Sequence, residues 1–128
     1  MKRQISDRPR ISVRNLQRKI AVNVDELQKF SQSAAEACLR LRQKVANGLG
    51  ALNEISILII SDRRMAELHL RFMNESGPTD VITFQHGEIF ISADTAQANA
   101  KRFETSVRHE LRLYIVHGLL HLHGFDDR

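Results

Sequence analysis

The chain has 128 residues, of which 42% are hydrophobic and 27% are charged, and its formal net charge is +4. A chain of this length falls within the usual size of one compact domain and can bury a hydrophobic core, so we expect a single domain over residues 1–128. Its apolar runs are too short for a membrane span, and the N-terminus lacks the apolar core of a secretory signal. We therefore expect neither a membrane protein nor a secreted one.

Cys38 is the only cysteine, which excludes an internal disulfide and a cysteine-based zinc cage. It falls on the apolar stripe of a predicted helix, so we expect a buried thiol rather than a nucleophile. A lone thiol fits a reducing compartment, and we expect the bacterial cytoplasm. An organelle is the second choice, since an arginine-rich start with Ser6 and Ser12 resembles a transit peptide.

Basic residues crowd the first twenty positions. They are Lys2, Arg3, Arg8, Arg10, Arg14, Arg18 and Lys19, against Asp7 alone. Such charge attracts polyanions, because lysine and arginine contacts to phosphates supply most sequence-independent affinity for nucleic acid. We predict RNA contacts for Arg10 and Arg14, with a solvated face that only aids solubility as the alternative.

The first half of the chain predicts a strand, a long helix and a second strand. Residues 11–15 indicate the first strand, and Asn23 with Glu26 forms a capping box at the helix start. Asn47 and Gly48 supply the stop signal, and residues 55–60 indicate a strand covered on both faces. The apolar positions at helical spacing are Leu27, Phe30, Ala34, Ala37, Cys38, Leu41 and Val45.

The second half predicts three more helices and two more strands. Ser61 caps a helix with Met65, Leu68 and Phe72 on one side, and residues 74–78 form a turn. Residues 81–84 and 88–91 indicate strands that could pair as a hairpin, although a longer course is open. Two further helices follow, the first from Ser92 to about Arg102 and the second from Ser106, with Leu111, Ile115, Leu119 and Leu122 on its apolar side. The order βαβαββαα predicts an α/β (α+β) fold, a mixed sheet of about four strands with helices packed on it.

The segment HGLLHLHGFDD, from His117 to Asp127, is the candidate metal-binding segment of the chain. Two histidines four residues apart lie on one face of a helix, so both rings can reach one ion. We predict a divalent metal between His117 and His121 on the C-terminal helix. The alternative for such a pair is two satisfied surface or core histidines.

Asp127 is the predicted third ligand, because Gly124 permits the sharp turn that returns the chain to the same ion. His123 is the rival, but it follows His121 by two residues and projects from another face. Gly118 stands where helical zinc peptidases carry a glutamate as general base, so ordinary metalloprotease chemistry lacks its key group. Gly118 also costs the helix about 1 kcal/mol relative to alanine, which indicates crowding beside the metal.

The segment 117–127 resembles the signature of the YbeY endoribonuclease family, His-Gly-x-Leu-His-Leu-x-Gly followed by an aromatic-Asp pair and a final histidine. Residues 78–84, PTDVITF, look like the family's Pro-Thr-Asp-Val strand, and residues 87–92, GEIFIS, look like its next strand. The resemblance covers nearly the whole chain, although these later segments are its distinctive part.

The resemblance implies a metal-dependent, single-strand-specific endoribonuclease in 16S rRNA 3′-end maturation and ribosome quality control. It implies one divalent ion, usually taken to be zinc. The expected partners are single-stranded RNA, small-subunit ribosomal RNA and small-subunit ribosomal proteins. Neither DNA nor a membrane is expected.

Three positions depart from the family pattern. Asp127 stands where the family more often has histidine. A carboxylate oxygen is a harder Lewis base than an imidazole nitrogen, so this ligand can favour another divalent ion. Met73 stands where the family often has an arginine, so Arg71 is the substitute RNA contact, with a solvated helix charge as the alternative. Family members usually continue beyond the last ligand, and we expect Asp127 near Arg128 to fray and leave two firm ligands.

The leading hypothesis is a metal held by His117, His121 and Asp127 with an open position for water or the scissile phosphate. A second class is a non-catalytic ribosome-assembly or RNA-binding factor with a structural metal. A third is a general metal-dependent hydrolase of a small substrate. The unranked candidates for general acid and base are Asp80, His86 and Glu110.

Overall fold

The computed structural model describes residues 9–41 and 48–125, which form a four-stranded sheet with helices on both faces. The elements are β1 (Arg10–Asn15), α1 (Val24–Leu39), β2 (Glu54–Ile60), α2 (Asp62–Met73), β3 (Val81–Phe84), β4 (Glu88–Ser92), α3 (Ala93–Arg102) and α4 (Val107–Leu122), with a short 3-10 helix, Leu49–Ala51, before β2. The predicted order βαβαββαα and the predicted fold class are confirmed.

The sheet is mixed, with the strand order β1-β2-β4-β3. β1, β2 and β4 run parallel, and β3 runs antiparallel to β4. The predicted hairpin is confirmed, since Phe84 pairs with Glu88 and the Gly87 N–H donates to the Phe84 carbonyl at 2.9 Å. The two edge strands are therefore β1 and β3.

The two faces of the sheet carry different cores. Val13, Ile57 and Ile89 belong to the larger cluster, which includes residues of α1 and α4, so this side is called the α4 face. Ile60 and Ile82 pack with Met65 of α2 on the other side, called the α2 face. β2 is covered on both faces as predicted, because successive residues of a strand point to opposite sides.

Helix α1 starts as predicted but ends earlier. Asn23 Oδ1 accepts from the Glu26 N–H at 3.1 Å, whereas the Glu26 carboxylate pairs with Arg112 of α4 rather than closing the capping box. The helix ends at Leu39, and Leu41 is 47% exposed, so the predicted stop at 47–48 is wrong. The buried positions are Leu27, Ser31, Ala35 and Cys38. The buried stripe thus includes small residues that allow close packing. Ala37, which the sequence placed on the apolar side, is exposed. Val45 and Asn47 lie outside the described residues.

Helix α2 is capped as predicted, since Ser61 Oγ accepts from the Arg64 N–H at 3.3 Å. Its predicted apolar side holds for Met65, which is fully buried, and for Leu68, which is half-buried. Phe72 is 54% exposed, although its ring packs edge-on against Phe84 of β3 with the ring centroids 5.2 Å apart. Within residues 9–41 and 48–125, no helix combines the length and apolar character needed to cross a membrane.

Candidate metal centre

Helix α4 carries the two histidines and is fixed tightly to the sheet. Ser106 Oγ caps it by accepting from the His109 N–H at 3.0 Å. A Cβ added to Gly118 would lie 2.6 Å from Cγ2 of the fully buried Ile89 in β4, so only glycine lets the helix approach this closely. The crowding expected at Gly118 is therefore with the sheet, and not beside a metal as the sequence suggested.

His117 and His121 point their rings at one place. Their Nε2 atoms are 3.1 Å apart, their ring centroids are 4.7 Å apart, and both side chains are half-buried. Two nitrogen ligands of a tetrahedral zinc, each about 2.0–2.1 Å from the ion, are about 3.3–3.4 Å apart. The observed separation therefore fits one shared ion after a shift of a few tenths of an ångström. The same separation also allows one ring N–H to donate to the other ring.

His123 serves another purpose. It is 2% exposed, its Nδ1 accepts from the Leu49 N–H at 3.0 Å, and its Nε2 lies 3.0 Å from the Leu41 carbonyl. A carbonyl only accepts, so Nε2 carries the proton and the ring fits the neutral form with both nitrogens used. His123 thus ties the end of α4 to the chain on either side of residues 42–47. Both ring nitrogens of His123 are therefore engaged away from the histidine pair, and the choice of Asp127 as third ligand stays a prediction.

The turn after α4 occurs where the sequence placed it. Gly124 has φ +97°, its N–H donates to the His121 carbonyl at 3.0 Å, and the Phe125 N–H donates to the Leu120 carbonyl at 2.9 Å. These two bonds define a Schellman motif, which ends a helix sharply. Asp127 lies outside the described residues. Across the ranges 9–41 and 48–125, no group of three or more His, Cys, Asp or Glu side chains could hold a metal, so the three-ligand set stays a prediction.

The three candidates for acid and base are each held by a local partner. His86 lies on the exposed tip of the hairpin, with Nε2 2.8 Å from Glu88 Oε1. Glu110 is 5% exposed and accepts from the Thr105 hydroxyl at 2.6 Å. Asp80 accepts from the Val81 N–H at 2.8 Å. Each of the three side chains therefore has a local hydrogen-bond partner. These bonds do not identify which side chain would act as general base.

The predicted RNA-binding arginines lie on the other side of the molecule from the histidine pair. Arg10 and Arg14 alternate along β1 with Val13, which lies on the α4 face, so both project from the α2 face. Arg10 forms an exposed ion pair with Glu54 at 3.3 Å, a kind of contact that contributes little stability. Arg71 is exposed on α2, with its guanidinium 5.5 Å from the Phe72 ring centroid. Their RNA contacts stay a prediction.

Sequence reasoning missed Tyr114, which lies one turn before His117 and is 4% exposed. Its hydroxyl accepts from Asn99 Nδ2 of α3 at 2.8 Å. Burial raises the pKa of the Tyr114 hydroxyl, nearby acidic groups raise it further, and the Asn99 bond opposes them. The acidic groups are Glu110, Asp80 and Asp62. A tyrosine on the apolar stripe of α4 was visible in the sequence, but its partner on another helix was not.

A mixed sheet with a C-terminal helix that presents two converging histidines defines an α+β protein with a helical two-histidine site. The model of the endoribonuclease YbeY family matches residues 12–128. The chain therefore belongs to that family, as the resemblance of its later segments indicated.

Individual relatives agree with the family match. The chain is 37% identical over 82 residues to an endoribonuclease YbeY of Parabacteroides distasonis, a match that covers 59% of this chain and 58% of that protein. It is 34% identical over 110 residues to one of Thermobifida fusca, covering 71% of each. The solution structure of TM1509 from Thermotoga maritima superposes with a TM-score of 0.61 at 23% identity, over 92% of this chain and 75% of that one, which supports the fold.

Proposed function

We propose that this protein is a metal-dependent, single-strand-specific endoribonuclease that acts in 16S rRNA 3′-end maturation and ribosome quality control. The observation that carries the proposal is the convergence of His117 and His121, with Nε2 atoms 3.1 Å apart, on the C-terminal helix of a YbeY family member. The relatives from Parabacteroides distasonis and Thermobifida fusca are both named endoribonuclease YbeY.

The proposed ligands are the Nε2 atoms of His117 and His121 together with the Asp127 carboxylate. A bound divalent ion, with zinc the proposed metal, would polarise the scissile phosphate and lower the pKa of a bound water. The chain's own contribution is placement: Gly118 lets the helix pack closely against β4, and the turn at Gly124 ends the helix just after the histidine pair. With one carboxylate oxygen in place of an imidazole nitrogen, this set of ligands is a harder Lewis base than three histidines would be.

The proposed substrate is single-stranded RNA of the small ribosomal subunit, met in the bacterial cytoplasm together with small-subunit ribosomal proteins. The net charge of +4 favours binding to a polyanion. Arg10, Arg14 and Arg71 would hold phosphates on the α2 side while the scissile bond lies at the histidines on the α4 side. A short oligonucleotide would then use only the histidine side, and a longer RNA would use both.

The test compares the wild-type chain with the double variant His117→Ala/His121→Ala. We expect near-stoichiometric metal in the wild type and none in the variant, by mass spectrometry of protein purified without added metal. Cleavage of a small-subunit precursor RNA should fall by about 100-fold or more, because the ion supplies several kcal/mol of transition-state stabilisation. RNA affinity should stay within a few-fold.

His109→Ala is the matched control, since His109 is an exposed histidine near the start of α4 to which no part in cleavage is assigned. It should keep both the metal and the cleavage activity. Equal cleavage by the wild type and the double variant would contradict the proposal, as would a wild-type protein that binds no divalent ion.

A second candidate is a ribosome-assembly factor with a structural metal. Two observations favour it: Met73 stands where the family often has arginine, and Asp80, His86 and Glu110 are all committed to local bonds. Such a factor would bind small-subunit particles but would not cleave RNA in its wild-type form. Binding retained by a folded His117→Ala/His121→Ala variant, together with wild-type cleavage absent, would select it.

A further inference from the structure

The outer edge of β1 is closed by one side chain of α1. The Arg10 N–H donates to the Asn53 carbonyl at 2.9 Å, and the Leu16 N–H donates to the Ile59 carbonyl at 2.8 Å, so even-numbered residues bond toward β2. Backbone groups alternate along a strand in a parallel ladder, so Ile11 and Val13 present theirs to the outer edge. An exposed edge of this kind is a template for pairing with another chain.

Gln28 occupies this edge. Its Oε1 accepts from the Val13 N–H at 2.9 Å, and its Nε2 donates to the Ile11 carbonyl at 2.5 Å. One amide thus bonds to two residues that lie two apart on the strand, as a residue of a neighbouring parallel strand does. The amide orientation follows from these partners, because an N–H needs an acceptor and a carbonyl needs a donor.

We propose that Gln28 is an edge cap that keeps β1 from pairing with β1 of a second copy of this chain. A second copy is the relevant occupant, because every molecule presents the same edge and edge-to-edge pairing is self-complementary. The cap concerns assembly and is independent of the histidine pair on α4. Arg10 and Arg14 on the same strand add like charge against self-pairing, so salt should strengthen any pairing that occurs.

The test substitutes Gln28→Met, which keeps the side-chain length and the helix propensity but removes the amide. Gln32→Met is the matched control, because Gln32 lies one turn further along α1 and lines the groove of about 420 Å³ beside β1. Sedimentation velocity over a concentration series reports association. Hydrogen exchange at the Val13 amide reports whether that edge position is covered.

We expect the wild type and Gln32→Met to stay monomeric, with Val13 protection that does not depend on concentration. In dilute Gln28→Met, the Val13 amide should exchange about tenfold faster, the effect of losing one hydrogen bond. At higher concentration this variant should dimerise and regain protection, more so in salt. A folded Gln28→Met that stays monomeric at every concentration would overturn the proposal, as would wild-type association through β1.

If Gln28→Met does not fold, judged by circular dichroism, Gln28→Asn replaces it in the same experiment. The shorter amide keeps the chemistry of the side chain but cannot reach both Ile11 and Val13. Concentration-dependent dimers of Gln28→Asn with Val13 protected would support the cap. Monomers with a fast-exchanging Val13 amide would refute it.

Discussion

Tyr114 offers a direct readout of the interior beneath the histidine pair, because it is the only tyrosine in a chain without tryptophan. Burial, together with the nearby acidic groups Glu110, Asp80 and Asp62, disfavours the phenolate and raises the pKa above the ordinary value of 10.0. The absorbance at 295 nm should therefore titrate at higher pH in the folded protein than in urea. Equal midpoints in the two states would contradict the burial of this hydroxyl.

The sign of the effect on stability follows from the same shift. A folded-state pKa above the unfolded one means that the folded state holds its proton longer, so the free energy of unfolding falls as pH rises above about 10. Cys38 also lowers the free energy of unfolding as pH rises above 9.0, the ordinary pKa of the group, because burial raises the pKa of its thiol.

Asn99→Ala should raise the Tyr114 titration midpoint further, since the Asn99 hydrogen bond opposes the rise in the Tyr114 pKa.

At the scale of the element, Gly118 decides how closely α4 packs on the sheet. Gly118→Ala should gain about 1 kcal/mol of helix propensity but lose about 1–3 kcal/mol by overpacking against Ile89. We expect a net loss of about 1 kcal/mol in the free energy of unfolding, measured in urea. Ile89→Ala should cost less in the Gly118→Ala background than in the wild type, since it removes Cγ2, Cγ1 and Cδ1, the atoms that the added methyl group would meet. Additive losses would mean that the two side chains do not meet.

Elements whose signals are local were predictable from the sequence, as the caps Asn23, Ser61 and Ser92 show. The end and the buried stripe of α1 were not, because packing against the sheet selects Ser31 and Ala35 for the interior. The histidine pair followed from spacing alone. The bond between Tyr114 and Asn99 and the edge contacts of Gln28 join distant parts of the chain, and no periodicity in the sequence encodes them.

At the scale of the whole molecule, the sheet separates the histidine pair from the proposed RNA-binding arginines. The histidine pair lies on the helix that covers the α4 face, whereas the exposed arginines of β1 project from the α2 face. Any RNA that uses both must pass around an edge of the sheet. Gln28 of α1 occupies the outer side of β1, so the edge at β3 is the alternative route.

A metal held by α4 and the residues that follow it should stabilise the whole fold, because an ion that binds only the folded state shifts the unfolding equilibrium. At a zinc concentration about 100 times the dissociation constant, the expected gain is about 2.7 kcal/mol in the free energy of unfolding. The double variant His117→Ala/His121→Ala should show no such gain, and a chelator should return the wild type to its metal-free stability. Asp127→Asn tests the third ligand: a zinc-induced gain as large as that of the wild type would mean that the two histidines hold the ion without this carboxylate.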